Sequence, residues 1–151
     1  MTAALEVEKA VVAVLVVSRA AADHDTLKNA LRGSKWSLHH SSDVMSALRL
    51  LRQHDGISLV VCDRELWRDL WKDMLATTAA ASRAPLLIVA ARDADEQLWA
   101  EALNLGAYDV LVKPFDTAEV VRSLSLGWLR WHHHRVPSPA KSLLSELRPK
   151  F

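Results

Sequence analysis

Short, uninterrupted runs of largely apolar residues are the feature of this 151-residue sequence that most constrains its fold. They occupy residues 10–17, 58–62 and 86–90; Lys9 and Ser18 flank the first run, Asp63 follows the second and Pro85 precedes the third. Runs of this length are typical of strands that are buried on both faces, as in parallel sheets. Because such a sheet needs helices against each face, the runs predict an α/β fold.

Segments with a helical spacing of apolar residues separate these strands. Two shorter strands are predicted at 35–40 and 109–112. Helices are predicted at 23–31, from a serine cap at Ser41 or Ser42, at 66–81, from the acidic segment 93–96, and at 117–131. Five alternations of strand and helix with right-handed crossovers predict a doubly wound sheet of five parallel strands in the order 2-1-3-4-5.

Composition removes several function classes. Half of the residues are hydrophobic, 25% are charged and the net charge is +1. A net charge this small gives no overall electrostatic attraction to nucleic acid or to a membrane surface. The basic residues form no stripe with interleaved aromatics, and the run at 10–17 is too short to span a bilayer. No signal peptide is visible, and we expect a cytoplasmic protein. Without a glycine-rich phosphate loop, a nucleophile elbow or a metal-ligand cluster, we do not expect an enzyme.

The sequence divides into three parts. We predict an N-terminal extension at 1–9, one domain at 10–131 and a tail or linker at 132–151. The tail opens with the run His132 to His134. Adjacent histidines point in different directions, so a solvated helix end is a better interpretation of this run than a metal site. The single cysteine, Cys62, excludes an intramolecular disulfide framework.

The candidate site lies where the predicted strands end. In a sheet of this order the carboxyl ends of strands one, three, four and five border one crevice. The residues at those ends are Ser18 and Arg19, Asp63, Ala90, and Lys113. A carboxylate there is a candidate nucleophile or metal ligand. The alternatives for Asp63 are a helix cap and a structural salt bridge.

Residues 10–131 resemble the receiver domain of bacterial two-component response regulators. The strand that ends in Asp63 carries the resemblance, together with the segment GAYDVLVKPF at 106–115, which contains the family's Lys-Pro-Phe signature. The resemblance implies that Asp63 stands at the position that accepts a phosphoryl group with the help of Mg²⁺. It also implies that Lys113 pairs with the phosphate, that a cis peptide bond precedes Pro114, and that helix four, strand five and helix five form the signalling face.

Several positions depart from the family's pattern. Ser18 and Arg19 replace the acidic pair, Ala90 replaces the switch hydroxyl and Val110 replaces the switch aromatic. A guanidinium near the metal position opposes a divalent cation and can pair with the acceptor instead. We therefore expect Asp63 to pair with Arg19, Lys113 or both, without a bound metal.

Two acidic residues near the first strand are alternative candidates for the missing ligands. Asp23 and Asp25 follow Arg19 by a few residues. Both are better interpreted as acids at the start of a helix, where they complement the helix dipole.

Three hypotheses on function follow. The first is a degenerate receiver, or pseudo-receiver, that acts without phosphorylation or cofactor and binds a histidine kinase or another signalling protein through Trp99 and Val110; a homodimer through this face is also open. The second is a true receiver that a histidine kinase phosphorylates on Asp63 with Mg²⁺. The third is a small-molecule sensor whose crevice is covered by Trp67 and Trp71.

Overall fold

The computed structural model describes residues 12–78 and 84–133, apart from the side chains of 75–78. This part of the chain contains five strands and five helices in strict alternation. The strands are β1 (Ala13–Val17), β2 (Ser37–Ser41), β3 (Ile57–Asp63), β4 (Leu86–Ala91) and β5 (Asp109–Val112). The helices are α1 (Ala21–Ala30), α2 (Val44–Gln53), α3 (Arg64–Thr78), α4 (Glu96–Asn104) and α5 (Thr117–His133).

The strands form one parallel sheet in the order β2-β1-β3-β4-β5, which confirms the predicted fold. Side chains alternate between its two faces, as Val60 and Leu59 of β3 show. Val60 lies in a core cluster with buried residues of α2, α3 and α4, whereas Leu59 lies in a second cluster with those of α1 and α5. The continuous apolar runs of the sequence are therefore strands covered on both faces.

Two helix starts differ from the predicted ones. Helix α1 begins at Ala21, two residues before the predicted start. The cap of α2 is Asp43, whose carboxylate accepts the backbone N–H of Ser46 at 2.7 Å, so the prediction of Ser41 or Ser42 is wrong. The reason is that Ser41 is buried at the end of β2, where its hydroxyl donates to the carbonyl oxygen of Asp43 at 2.7 Å.

The described residues include only part of the two predicted terminal segments. The predicted extension at 1–9 lies outside the described residues, as does the predicted tail from residue 134 onwards. Residues 132 and 133 belong to α5, which runs past its predicted end at Trp131. Within the described ranges, none of the helices combines the length and the apolar character needed to cross a bilayer.

Candidate functional site

Four side chains meet at the carboxyl edge of the sheet and form what we call the edge cluster: Ser18, Asp23, Asp63 and Lys113. The Lys113 ammonium donates to Asp63 Oδ2 at 3.0 Å and to Asp23 Oδ2 at 2.5 Å. The Ser18 hydroxyl donates to the same Asp23 oxygen at 2.6 Å. The three charged side chains are 11–20% exposed, so the ion pairs are well shielded from water.

The start of α1 places Asp23 in this cluster. Asp23 is the third residue of the helix, and helical side chains lean toward the N-terminus of their own helix. Its carboxylate therefore points back toward Ser18, the residue after β1. The buried Ser18 hydroxyl also accepts the N–H of Ala20 at 3.1 Å, which fixes the turn between strand and helix.

Asp23 is a residue of the site, which its interpretation as a helix-start acid did not predict. Its position in the first turn agrees with the interpretation as a helix-start acid, yet its carboxylate also completes the site. The signal in the sequence was the spacing: an acid in the first turn after β1 leans over the strand end from which the helix departs.

Asp63 is held through both of its carboxylate oxygens. Oδ2 accepts from Lys113, and Oδ1 accepts the backbone N–H of Glu65 at 3.2 Å, in the first turn of α3. Asp63 thus serves as a helix-start acceptor and as an ion-pair partner at once. Both structural alternatives raised for it from sequence describe real contacts.

Lys113 is the one cation among the four side chains of the edge cluster, and it faces two carboxylates. Burial by itself lowers the pKa of Lys113, but the hydrogen bonds and charges of Asp23 and Asp63 outweigh this effect and raise it. The side chain is therefore a permanent ammonium ion at neutral pH. One cation is shared by two carboxylates.

Arg19 takes no part in the cluster. Its side chain is exposed, and within the described residues no hydrogen bond or ion pair joins it to Asp63. Of the two expected partners of Asp63, Lys113 pairs with it and Arg19 does not. The physical reason is that Ser18 turns inward after β1, which directs the next residue toward solvent.

The edge cluster does not fit the Mg²⁺ ion that the resemblance implies. Mg²⁺ needs near-octahedral oxygen ligands, normally including one or two carboxylates. Two carboxylates are present, but the Lys113 ammonium lies within hydrogen-bond distance of both, where a cation between them would have to sit. In the described residues, no group of three or more histidine, cysteine or acidic side chains is arranged to hold a metal.

The positions aligned with the receiver switch are buried and apolar. Ala90 of β4 is 3% exposed and lies opposite Asp63 in the sheet. Val110 of β5 is 4% exposed and belongs to the core beneath α4, with Trp99 packed partly buried against the same cluster. The prediction that a partner binds through Trp99 and Val110 is therefore wrong for Val110, which is not accessible. Val112 lies on the same face as Val110 but at the end of the strand, where it is 48% exposed.

The predicted tryptophan cover of the crevice is also wrong. Trp67 is 2% exposed and lies in the core formed with α2 and α4. Trp71 is partly buried and packs its ring against Gly106, at the end of α4. Both rings therefore fill the layer beneath the helices, and neither covers the edge cluster.

A cis peptide bond joins Lys113 to Pro114, as the resemblance implied. The backbone N–H of Lys113 donates to the carbonyl oxygen of Ala91 at 2.9 Å. This bond ties the residue after β5 to the end of β4. The backbone of Lys113 is thus held in place beside Asp63, so its side chain can reach the carboxylate.

Comparisons with known proteins bear on the fold. No family model and no curated protein matches the sequence. Among solved structures, the signal receiver domain of an HD domain-containing protein from Pseudomonas fluorescens Pf-5 aligns over 82% of this chain and 91% of its own, with 25% identity and a TM-score of 0.70. A response regulator from Thermotoga maritima covers 80% of this chain and 99% of its own, with 19% identity and a TM-score of 0.70.

A chemotaxis protein gives the same result. The response regulator CheY4 of Vibrio cholerae covers 78% of this chain and 99% of its own, at 14% identity and a TM-score of 0.67. These alignments span most of the chain and agree with the observed strand order. The chain has the receiver fold of two-component response regulators.

Proposed function

We propose that this chain is a signalling module of the receiver type that acts through protein contacts and without phosphorylation of Asp63. The observation that carries the proposal is the edge cluster, in which the Lys113 ammonium forms ion pairs with both Asp63 and Asp23. The proposal needs no cofactor and no enzymatic activity of the chain itself.

The edge cluster is poorly suited to accept a phosphoryl group. Phosphoryl transfer depends on positioning and on positive charge that neutralises the equatorial oxygens. Here the ammonium already serves two carboxylates, and both oxygens of Asp63 accept hydrogen bonds. A phosphoryl group would have to compete with Asp23 for the same cation.

The positions that would pass on a phosphorylation signal are also unsuited to it. The methyl group of Ala90 cannot donate a hydrogen bond to a phosphoryl oxygen, and it is buried. Val110 is a buried aliphatic residue that packs in the core under α4. A new charge on Asp63 would find no side chain at these positions to move in response.

The partner we propose is a protein of two-component signalling, with a histidine kinase as the class that the resemblance implies. The signalling elements of receivers, α4, β5 and α5, each expose a large apolar side chain here: Leu103 at 50%, Val112 at 48% and Val121 at 40%. Where such side chains form a contiguous patch, they favour a protein contact. A second copy of the chain is the alternative occupant.

The test is incubation with a small acyl phosphate and Mg²⁺, followed by intact-mass measurement. We expect no mass gain, while an active receiver treated in parallel is modified. A gain of about 80 Da, the mass of one phosphoryl group, would overturn the proposal if Asp63→Asn abolished it. Circular dichroism of both proteins confirms that the comparison is between folded chains.

One observation favours the true phospho-acceptor as a second candidate. Asp23 brings a carboxylate to the pocket from which the acidic pair is missing, and the exposed Arg19 leaves that pocket free of guanidinium charge. If the mass gain occurs, Asp23→Asn distinguishes the roles of the two acids. Loss of phosphorylation in this variant would make Asp23 the replacement for the missing pair.

A further inference from the structure

Two histidines from different elements meet beside β2, the strand at one edge of the sheet. His24 belongs to α1 and His40 to β2, 16 residues later. Their Nδ1 atoms are 2.9 Å apart, and their rings are nearly perpendicular, with centroids separated by 4.7 Å. His40 is exposed and His24 is partly buried, so solvent reaches the pair.

The hydrogen bonds around His24 determine its tautomer. Its Nε2 lies 2.9 Å from the carbonyl oxygen of Ser18, and a carbonyl oxygen can only accept. The proton of a neutral His24 is therefore on Nε2, and Nδ1 presents a lone pair toward His40. A ring N–H bound to a backbone carbonyl, with the other nitrogen free, is the arrangement that orients histidine ligands of metals.

We propose that His24 and His40 bind a late first-row divalent metal ion, with water completing the coordination. Imidazole nitrogens suit nickel, copper and zinc. The two Nδ1 atoms are 2.9 Å apart, so a small movement of the rings brings both within coordinating distance of one ion. Because the affinity of nitrogen ligands rises from Ni²⁺ to Cu²⁺ and falls at Zn²⁺, Cu²⁺ is the strongest candidate.

Binding requires a small rearrangement of His40. Its Nδ1 proton, which now faces His24, moves to Nε2, and the exposed ring turns about χ2 to direct the freed lone pair to the ion. Rotation about this bond is soft for histidine. His24 keeps its hydrogen bond to Ser18, so one of the two ligands is already oriented.

A matched control is available on the other side of β2. The rings of His39 and His54 are also close, with centroids 4.6 Å apart. They are tilted by 37°, and no hydrogen bond between ring nitrogens joins them in the described residues. His39→Gln therefore removes a histidine from the same strand without changing the proposed site.

The experiment is calorimetric titration of the full chain, without an affinity tag, with NiCl₂ and CuCl₂. We expect one bound ion per chain in the wild type, an affinity at least about tenfold weaker in His40→Gln, and no change in His39→Gln. A chain with His132, His133 and His134 all changed to glutamine tests the histidine run. Wild-type affinity in His40→Gln, or loss of binding in the triple variant alone, would overturn the proposal.

Electron paramagnetic resonance of the Cu²⁺ form supplies a second readout that a purely structural role of the pair would not produce. Two imidazole nitrogens should give superhyperfine splitting from two equivalent ¹⁴N nuclei in the wild type and from one in His40→Gln. A spectrum without nitrogen splitting would contradict coordination by the pair. The inference is independent of the proposed function, because neither readout involves Asp63.

Discussion

The Lys113 ammonium separates two carboxylates at the carboxyl edge of the sheet. We expect Lys113→Met to lower the free energy of unfolding by about 1–3 kcal/mol, because it leaves Asp23 and Asp63 facing each other without a cation. Urea unfolding followed by circular dichroism measures the change. The effect is smaller than for a fully buried pair, since the three side chains keep 11–20% of their surface.

Arg122→Met is the matched control for the removal of a cation. Arg122 pairs with Glu119 on α5, where both side chains are more than half exposed. Solvent screens such a pair, so we expect no measurable loss of stability. Equal losses in the two variants would show that the edge cluster stabilises the fold no more than a surface pair does.

The same ammonium predicts a dependence of stability on alkaline pH. Its pKa in the folded chain is raised above the ordinary value of 10.5, so folding favours the protonated form. The stabilisation is complete below about pH 10.5 and is lost as the pH rises through the folded pKa. We expect the stability difference between wild type and Lys113→Met to stay constant from pH 7 to 10 and to shrink above it. A difference that grows above pH 10.5 would contradict the assignment.

The residues of the site were predictable from sequence to different degrees. Asp63 and Lys113 follow buried strands, and the sheet order alone brings them together. Asp23 contacts Lys113 across 90 residues, from a helix whose start was predicted two residues late. The inward turn of Ser18, which excludes Arg19, depends on hydrogen bonds to Asp23 and Ala20 that no local pattern reveals.

At the scale of elements, the close approach of α5 to β3 is the most sensitive contact. A Cβ added to Gly127 would lie 2.8 Å from Leu59 Cδ2 and 3.4 Å from the Tyr108 ring. Leu59 is fully buried, so it cannot move aside without disturbing the core. We expect Gly127→Ala to destabilise the protein by about 1 kcal/mol, because a packing cost of about 1–3 kcal/mol exceeds the helix-propensity gain of about 1 kcal/mol.

Gly56→Ala is the control for the change in side chain and backbone entropy. Nothing lies within 4 Å of a Cβ at Gly56, in the turn before β3. Thermal unfolding of the two variants beside wild type separates the effects. A Gly127→Ala protein more stable than wild type would mean that Leu59 yields to the new methyl group.

Strands were easier to predict than surfaces. Continuous apolar runs indicate strands covered on both faces, and β1, β3 and β4 are such strands. Which residues of α4 and β5 stay exposed depends on how the helix lies across the sheet. Val110 is covered by this packing and Val112 is not, although both are valines of the same four-residue strand.

At the scale of the whole molecule, two cores share one sheet. The core under α2, α3 and α4 contains Trp67, and the core under α1 and α5 contains Trp128. Neighbouring residues of β1, β3 and β4 contribute to the two cores alternately, as Val60 and Val61 do. Because the same strands contribute side chains to both cores, disruption of one core disturbs the other. The domain should therefore unfold as one cooperative unit.

Fluorine NMR tests this expectation with one probe in each core. In protein labelled with 5-fluorotryptophan, Trp67→Phe and Trp128→Phe assign the two resonances by their disappearance. We expect the native resonances of Trp67 and Trp128 in the otherwise unchanged chain to decay at the same urea midpoint, since both cores depend on the same strands. Separate midpoints would mean that one layer of helices detaches while the sheet and the other layer persist. The core that then failed first would identify the weaker face of the sheet.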